Sequence, residues 1–322
     1  MSAMRSKLLS LARRSLRHPR LARPHRFARS AQREVQRRTD LRSARKALLA
    51  SETLPSDEKR LISRVPLRIH PNDDMYQLGT GRHYLSVGLS ARRCIMAALA
   101  HAPQNPIRAV LDLPSGYGRI LRFLRLSFPN STVWGCDIVP EAARFCKKQF
   151  NVNTAVSDTD FDKVSFPTKF DLIWSGSLLT HLDANNATKL LRLFYRSLSP
   201  TGVCVFTMHG QTSVTWLDSR AETYGLTEAD IQKVLSDFAA QGYGYADYPG
   251  QAKYGVSVAK RARIVQMAST VGDWNLLSFT ERTWSDHHDV YAFSKGPAVA
   301  PLIVEARGTI PPASNVLHRW VL

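Results

Sequence analysis

The chain lacks any apolar stretch that approaches the roughly 20 residues needed to cross a bilayer. It has few cysteines, and their spacing is not that of a metal site. They are Cys94, Cys136, Cys146 and Cys204. Isolated cysteines of this kind are typical of small buried side chains in a reducing compartment. These absences predict a soluble, cytoplasmic protein, and the sequence contains no internal repeat.

Acidic residues are scarce at the start of the chain. Positions 1–46 hold fifteen Lys and Arg against two Asp and Glu, a net charge of +13. The remaining positions contribute only +5 to the total of +18. Such a basic arm suits binding to nucleic acid or peripheral attachment to an anionic membrane surface. Two other interpretations remain: a targeting segment, and a solvated extension interrupted by Pro19 and Pro24.

A glycine turn between a strand pattern and a helix pattern is the most informative feature that is present. Residues 110–119 read VLDLPSGYGR, so an apolar run ends at Asp112 and passes through Ser115, Gly116 and Gly118 into a helical pattern. That order is typical of the nucleotide-binding turn after the first strand of a doubly wound α/β fold. A ligand can lie against the main chain only where no Cβ intrudes, which favours glycine there.

Strand and helix patterns alternate further along the chain. The stretch STVWGCDIVPEAARFCKKQF predicts a second strand ending at Asp137, 25 residues after Asp112, and a helix from about Pro140. A carboxylate at that strand end can accept hydrogen bonds from both ribose hydroxyls of an adenosine ligand. FDLIWSGSLLTHL and SLSPTGVCVFTMHG predict two more strands. This alternation predicts parallel βαβ units that bind their ligand at the carboxyl ends of the strands.

Residues 107–210 resemble a class I S-adenosylmethionine (SAM) dependent methyltransferase, with a glycine loop, an acidic end to the second strand and a DLIW fourth strand. The linked motifs DLPSGYGRILRFL, DLIWSGSLLTHL, FTMHG, YGYADYPG, YGVSV and HHDVYAF resemble a bacterial subgroup over roughly residues 65–295. Pro114 departs from the family by replacing the first glycine of the loop. The resemblance implies a seven-stranded, mostly parallel Rossmann-like sheet with a reversed final strand and an N-terminal helical extension.

The resemblance also implies SAM as cofactor and a set of residues around it. Its methionine part would be surrounded by Asp112, Ser115, Gly116 and Gly118. Asp137 would hold the ribose, Ile138 would pack on the adenine, and Ser175 would complete the set at the end of the fourth strand. Asp158 would lie by the adenine amino group, with Asp160 and Asp162 as competitors in the same loop. Ordinary turn and cap roles are the alternative for the glycines and for Asp112 and Asp158.

Methyl transfer requires alignment of a nucleophile and, when that nucleophile is a hydroxyl, removal of its proton. Histidine is the usual base near neutral pH. His209 follows the fifth strand and His181 follows the fourth, so both are candidate catalytic residues. Each could instead be a packing, capping or exposed residue.

A metal site is not predicted. His287, His288 and Asp289 are adjacent, but neighbouring residues on an extended strand point to opposite faces. The two histidines would therefore rarely bind one ion together.

The absence of a sequence motif after the fourth strand indicates the class of methyl acceptor. Methyltransferases that act on nucleic-acid amino groups often carry an Asp/Asn-Pro-Pro-Tyr/Phe loop after the fourth strand, where this chain has Ser175, Gly176 and Ser177. The expected acceptor is therefore an oxygen of a small molecule or glycan. The basic arm keeps an alternative open, an RNA-directed methyltransferase or a nucleic-acid-binding protein.

The sequence divides into six expected segments. They are a basic, disordered or partly helical tail (1–57), a helical cap (58–105), a SAM-binding core (106–210), a substrate lid (211–254), a helix with a strand hairpin (255–296) and a second tail (297–322). In the cap, a stretch containing Met75, Tyr76 and Tyr84 either folds over the cofactor or simply covers the sheet. In the lid, GYGYADYPGQAKYG is expected to be a flexible loop that forms a wall for the acceptor, with a packed crossover loop as the alternative. The oligomeric state is not predictable from these features.

Overall fold

A computed structural model describes residues 24–102, 105–295 and 300–305, with residues 24–32 described by their backbone alone. Residues 1–23, half of the predicted basic arm, and most of the predicted second tail therefore lie outside the described residues. Within the described ranges, no helix is both long enough and apolar enough to cross a membrane.

An eight-stranded sheet forms the centre of the molecule, in the order β10-β8-β9-β5-β4-β1-β2-β3. Every neighbouring pair is parallel except those of β9, which runs antiparallel to both β5 and β8. The strands of this sheet are β1 (Ala109–Asp112), β2 (Thr132–Asp137), β3 (Asn153–Val156), β4 (Phe170–Ser175), β5 (Leu198–Met208), β8 (Asn275–Trp284), β9 (His288–Ser294) and β10 (Leu302–Val304).

The predicted doubly wound, mostly parallel sheet with a reversed strand is confirmed, but the predicted count of seven strands is wrong by one. The additional strand, β10, pairs with β8 from Leu302 opposite Ser278 to Val304 opposite Thr280. It lies within the segment expected to be a tail. Three residues are too few to show the alternating pattern by which a strand is recognised.

Helices cover both faces of the sheet because their apolar side chains recur on one side. The helices are α1 (Pro24–Ala50), α2 (Ser56–Arg64), α3 (Gly81–Ala100), α4 (Leu121–Ser127), α5 (Pro140–Phe150), α6 (Ala184–Ser197), α7 (Gln211–Ser219), α8 (Glu228–Gln241) and α9 (Arg261–Ser269). Leu190, Leu191 and Phe194 of α6 pack on one face, and Ile95 of α3 and Cys146 of α5 pack on the other.

The N-terminal cap includes residues that the sequence assigned to a tail. Leu41 and Leu48 of α1 are buried with Tyr84 in one apolar cluster. The carboxylate of Asp40 accepts hydrogen bonds from the Tyr76 hydroxyl at 2.7 Å and from the Gly81 amide at 3.0 Å. The second half of α1 is thus part of the cap.

The lid segment is more regular than expected. Its glycine- and tyrosine-rich stretch forms a two-stranded antiparallel hairpin of β6 (Tyr243–Tyr248) and β7 (Gln251–Ala259), rather than a flexible loop. A Cβ added at Gly244 would lie 2.0 Å from the Val234 carbonyl oxygen of α8. Gly244 therefore allows β6 to pack closely on α8. A glycine needed for close packing and a glycine needed for a flexible loop look the same in the sequence.

Candidate active site at the carboxyl edge of the sheet

The strand ends bring most of the predicted site residues to one edge. Asp112 at the end of β1 pairs with Gly135 of β2 and Trp174 of β4. The reversed strand β9 begins at the same edge, because its Asp289 pairs with Met208 at the end of β5. Ligands of doubly wound folds bind at this edge.

The glycine loop is held by Asp137. The Gly116 amide donates to Asp137 Oδ2 at 2.7 Å, and the Val139 amide donates to Oδ1 at 2.9 Å. Burial raises the pKa of Asp137, and these two hydrogen bonds oppose the rise. Each oxygen that accepts one amide still has a lone pair for a ligand hydroxyl.

The two glycines of the loop have different reasons to be glycine. Gly116 has a φ of +50°, and an added Cβ would meet no described heavy atom within 4 Å. Gly118 has a φ of +83°, and an added Cβ would lie 2.3 Å from the Phe150 ring. Gly116 therefore leaves an open side on the main chain, whereas Gly118 permits packing against α5.

Three buried polar side chains at this edge have polar atoms that make no hydrogen bond with the described residues. They are both carboxylate oxygens of Asp112 and the hydroxyls of Ser115 and Ser175. Burial and the neighbouring Asp137 carboxylate raise the pKa of Asp112, while the nearby Arg119 charge opposes the rise. Buried polar atoms are normally paired, so these three side chains fit a polar ligand such as the methionine part of SAM.

The remaining predicted cofactor residues lie farther out. Ile138 is half-buried beside Asp137, and Asp158 is exposed. Asp158 Oδ1 accepts from the Asp160 amide at 2.8 Å, which forms a local turn. Its two competitors are engaged with α6, because Asp160 pairs with Lys189 and Asp162 contacts Lys189, Arg192 and Arg196.

Arg119, one residue after the glycine turn, is a further candidate site residue. Burial lowers its pKa, and the charges of Tyr84, Asp73, Asp74 and Asp112 oppose that change. Arg119 is therefore within electrostatic range of acidic residues of the cap and of the end of β1. An arginine one residue after the glycine turn carries no pattern that marks it in the sequence.

His181 lies in a short 3-10 turn, Leu179–His181, directly after β4. Its Nδ1 is 2.9 Å from the Gly255 carbonyl oxygen of β7 and 3.2 Å from the Tyr248 hydroxyl, and its ring stacks on Tyr254 with centroids 4.8 Å apart. Because a carbonyl only accepts, Nδ1 carries the proton and Nε2 is unprotonated. Burial lowers the pKa of His181 to about 4, so the ring is neutral at physiological pH.

Tyr254 links His181 to the edge where Asp137 lies. Burial, together with the charges of Asp74 and Asp137, raises the pKa of Tyr254 to about 12. The stacked pair of Tyr254 and His181 is therefore within electrostatic range of the cap and of the end of β2.

His209 is held by the same strand as His181. Its Nδ1 lies 3.1 Å from the Ser257 carbonyl oxygen, two residues along β7 from Gly255. Nε2 is again the unprotonated nitrogen, and burial lowers the pKa of His209. One strand of the lid thus fixes the tautomer of both candidate bases.

His209, His287 and His288 form a group that we call the histidine cluster. The centroid of the His209 ring is 4.9 Å from that of His287 and 4.8 Å from that of His288. The prediction that the adjacent histidines diverge was wrong, because β9 begins at His288 and His287 lies in the preceding turn. The alternation of a strand does not apply across that boundary.

Comparison with known families identifies the segment that builds this edge. Residues 110–202 match the family described as Methyltransferase domain. This segment of the chain is similar to methyltransferase domains. The match includes the glycine loop, Asp137, Asp158, Ser175 and His181, but not His209.

Individual relatives are distant. The phosphoethanolamine N-methyltransferase of Plasmodium falciparum (isolate 3D7) is 27% identical over 154 residues, which cover 47% of this chain and 56% of that protein. The chain thus aligns with about half the length of this relative.

Two solved structures illustrate the structural similarity. One is a SAM-dependent methyltransferase from Clostridium acetobutylicum ATCC 824, with 14% identity, coverage of 64% and 91% of the two chains and a TM-score of 0.46. The other is magnesium protoporphyrin IX methyltransferase from Synechocystis PCC 6803 with bound SAH, with 11% identity, coverage of 75% and 95% and a TM-score of 0.46.

Proposed function

We propose that this protein transfers the methyl group of SAM to an oxygen of a small-molecule or glycan acceptor, with His181 as the general base. The observation that carries the proposal is the neutral His181 ring, whose Nδ1–H is held by the Gly255 carbonyl at the edge of a methyltransferase domain. Nε2 of His181 is thus available to accept a proton.

The residues at the sheet edge would hold SAM in the following way. Asp137 would accept the ribose hydroxyls, and Ile138 and Asp158 would lie by the adenine. The methionine part would satisfy the buried polar atoms of Asp112, Ser115 and Ser175 beside the open side of Gly116. Gly118 would act indirectly, by allowing the loop to pack on Phe150. SAM supplies a methyl group that its positively charged sulfur already activates.

The protein's own task in the reaction is to position the acceptor and to take a proton. His181 Nε2 would accept the hydroxyl proton as the acceptor oxygen bonds to the methyl carbon. The Gly255 carbonyl, which accepts from Nδ1–H, would stabilise the resulting imidazolium. Tyr248 and Tyr254, which contact the His181 ring, would form the wall beside the acceptor. His209, within the histidine cluster, is the second candidate for the base.

The pH dependence of turnover tests the role of His181. Because burial lowers the pKa of His181 to about 4, its neutral form persists as the pH falls and is lost only near that value. We expect kcat/KM to stay level from about pH 8 to about pH 5 and to fall below that. His181→Asn should reduce kcat by about 100-fold and remove the acid limb, whereas His101→Asn at the exposed end of α3 should change neither. A fall in kcat/KM near pH 6.5 that persists in His181→Asn would contradict the assignment of His181 as the base.

An amine acceptor is the second candidate, because the Plasmodium relative is named as a phosphoethanolamine N-methyltransferase. An ammonium group must also lose a proton before it attacks, so His181 would serve both reactions. Incubation with SAM and matched pairs of amino and hydroxyl compounds, followed by mass spectrometry of the product, separates them. Methyl groups found only on nitrogen would overturn the oxygen proposal and leave the role of His181 unchanged.

Salt dependence tests whether the basic arm takes part in the reaction. Residues 1–32 contain nine Lys and Arg and no acidic residue, and their removal leaves the buried Leu41 and Leu48 in place. We expect the full chain to bind a short RNA, with affinity falling about 1,000-fold between about 50 and 200 mM salt. The truncated chain should lose this binding and keep its turnover of small acceptors. If removal of the arm also abolished turnover, the RNA-directed alternative would be favoured.

A further inference from the structure

The histidine cluster has features of a metal site, a role that the base assignment to His181 leaves open. His209, His287 and His288 are 3%, 2% and 1% exposed, so all three rings are buried. One ring nitrogen from each lies within 4.8 Å of the corresponding nitrogens of the other two. Three buried imidazoles are polar groups that a hydrophobic core alone does not require.

The spacing is close to what a transition ion needs. A tetrahedral zinc ion with Zn–N distances of about 2.0–2.1 Å holds its ligand nitrogens roughly 3.4 Å apart. The largest separation in the cluster exceeds that by roughly 1.4 Å, which small ring rotations can close. Imidazole ligands favour zinc and similar ions over magnesium or calcium, which prefer oxygen.

A second nitrogen on each ring already has a partner that orients it. His209 Nδ1 donates to the Ser257 carbonyl at 3.1 Å. The Tyr224 hydroxyl donates to Ser213 Oγ at 3.0 Å, so its oxygen accepts from His287 Nε2 at 2.6 Å. His288 Nδ1 lies 3.3 Å from Thr207 Oγ1. Histidine ligands of metal ions normally use their other nitrogen in this way.

We infer that the histidine cluster binds one divalent transition-metal ion, with zinc(II) as the best match. Each of the three histidines would supply one nitrogen, which leaves a fourth coordination position open. The ion would join three segments of the chain, namely the end of β5, the turn before β9 and, through Tyr224, the lid. This inference concerns binding and does not depend on the methyl acceptor.

The test is zinc titration of the full, metal-stripped chain by calorimetry, with cobalt(II) absorption as a second readout. We expect one equivalent of zinc to bind with a Kd below about 1 μM and cobalt to give the visible bands of a tetrahedral site. His209→Asn should weaken zinc binding at least about 30-fold, since asparagine can still donate to the Ser257 carbonyl but lacks Nε2. His287→Gln should do the same, and the exposed His101→Asn should have no effect.

Two outcomes would overturn the inference. One is binding of less than about a tenth of an equivalent of zinc at micromolar concentration. The other is wild-type affinity in both cluster variants, which would indicate that zinc binds elsewhere. Circular dichroism of each variant checks its folding, and a zinc-dependent rise in the Tm of the wild type measures binding without any substitution. Because SAM and acceptor are absent, failure here leaves the methyl-transfer proposal standing.

Discussion

Replacement of Asp137 by alanine is expected to weaken SAM binding about 100-fold, as measured by calorimetry on the folded chain. The side chain accepts the Gly116 and Val139 amides, so the change removes the support of the glycine loop together with the ribose contacts proposed above. A hydrogen bond to a charged acceptor contributes about 1.5–3 kcal/mol, and two such bonds account for an effect of this size.

Matched variants separate the ribose role from general damage. Asp137→Asn keeps one acceptor oxygen and the same shape, so we expect a loss of about 10-fold. Asp162→Ala removes a carboxylate that pairs with α6 on the surface, and SAM affinity should not change. Wild-type affinity in Asp137→Ala would show that SAM does not use this strand end.

Replacement of Arg122 by methionine is expected to lower the free energy of unfolding by about 3–5 kcal/mol. Arg122 is fully buried, and its guanidinium donates to the Gly118 carbonyl at 2.8 Å, the Pro66 carbonyl at 2.8 Å and the Tyr84 hydroxyl at 3.1 Å. Methionine fills much of the volume but removes all three of these hydrogen bonds. The Gly118 carbonyl then keeps only the backbone amide of residue 122, at 3.3 Å. The same change breaks the connection between the glycine loop and the cap.

Urea unfolding measures the effect, with a control one turn along the same helix. Arg125 makes a hydrogen bond to the Pro129 carbonyl at the surface, and Arg125→Met should cost less than about 0.5 kcal/mol. Arg122→Lys, which keeps the charge and loses the planar geometry, should fall between the two. If Arg122→Met and Arg125→Met unfolded at the same urea concentration, the proposed contribution of the buried Arg122 guanidinium to stability would be wrong.

The parts of the site that are local in sequence could be predicted. Gly116 and Asp137 belong to a strand, turn and helix pattern whose spacing is set by the fold, and the structure joins them by a hydrogen bond of 2.7 Å. The apolar patterns likewise predicted the strands that the structure has as β1, β2, β4 and β5. The short strand β10 and the regular hairpin of the lid carried no usable periodic signal.

The parts that depend on distant residues could not be predicted. Gly255 lies 74 positions after His181, and Ser257 lies 48 positions after His209, so no local pattern reports either contact. The histidine cluster depends on where β9 begins, and a shift of one residue in that boundary decides whether His287 and His288 diverge or meet. Strand boundaries are the least certain feature of any sequence-based prediction.

The attachment of both histidines to β7 restricts how this chain could be redesigned or could diverge. A single-residue insertion near Gly255 would move that carbonyl and the Ser257 carbonyl together, and both imidazoles would lose their orientation in one step. Under the proposed function, exchange of the hairpin would therefore change the acceptor wall and the orientation of the base together. Substitution of side chains on the hairpin leaves both carbonyls in place, whereas a change in its length does not.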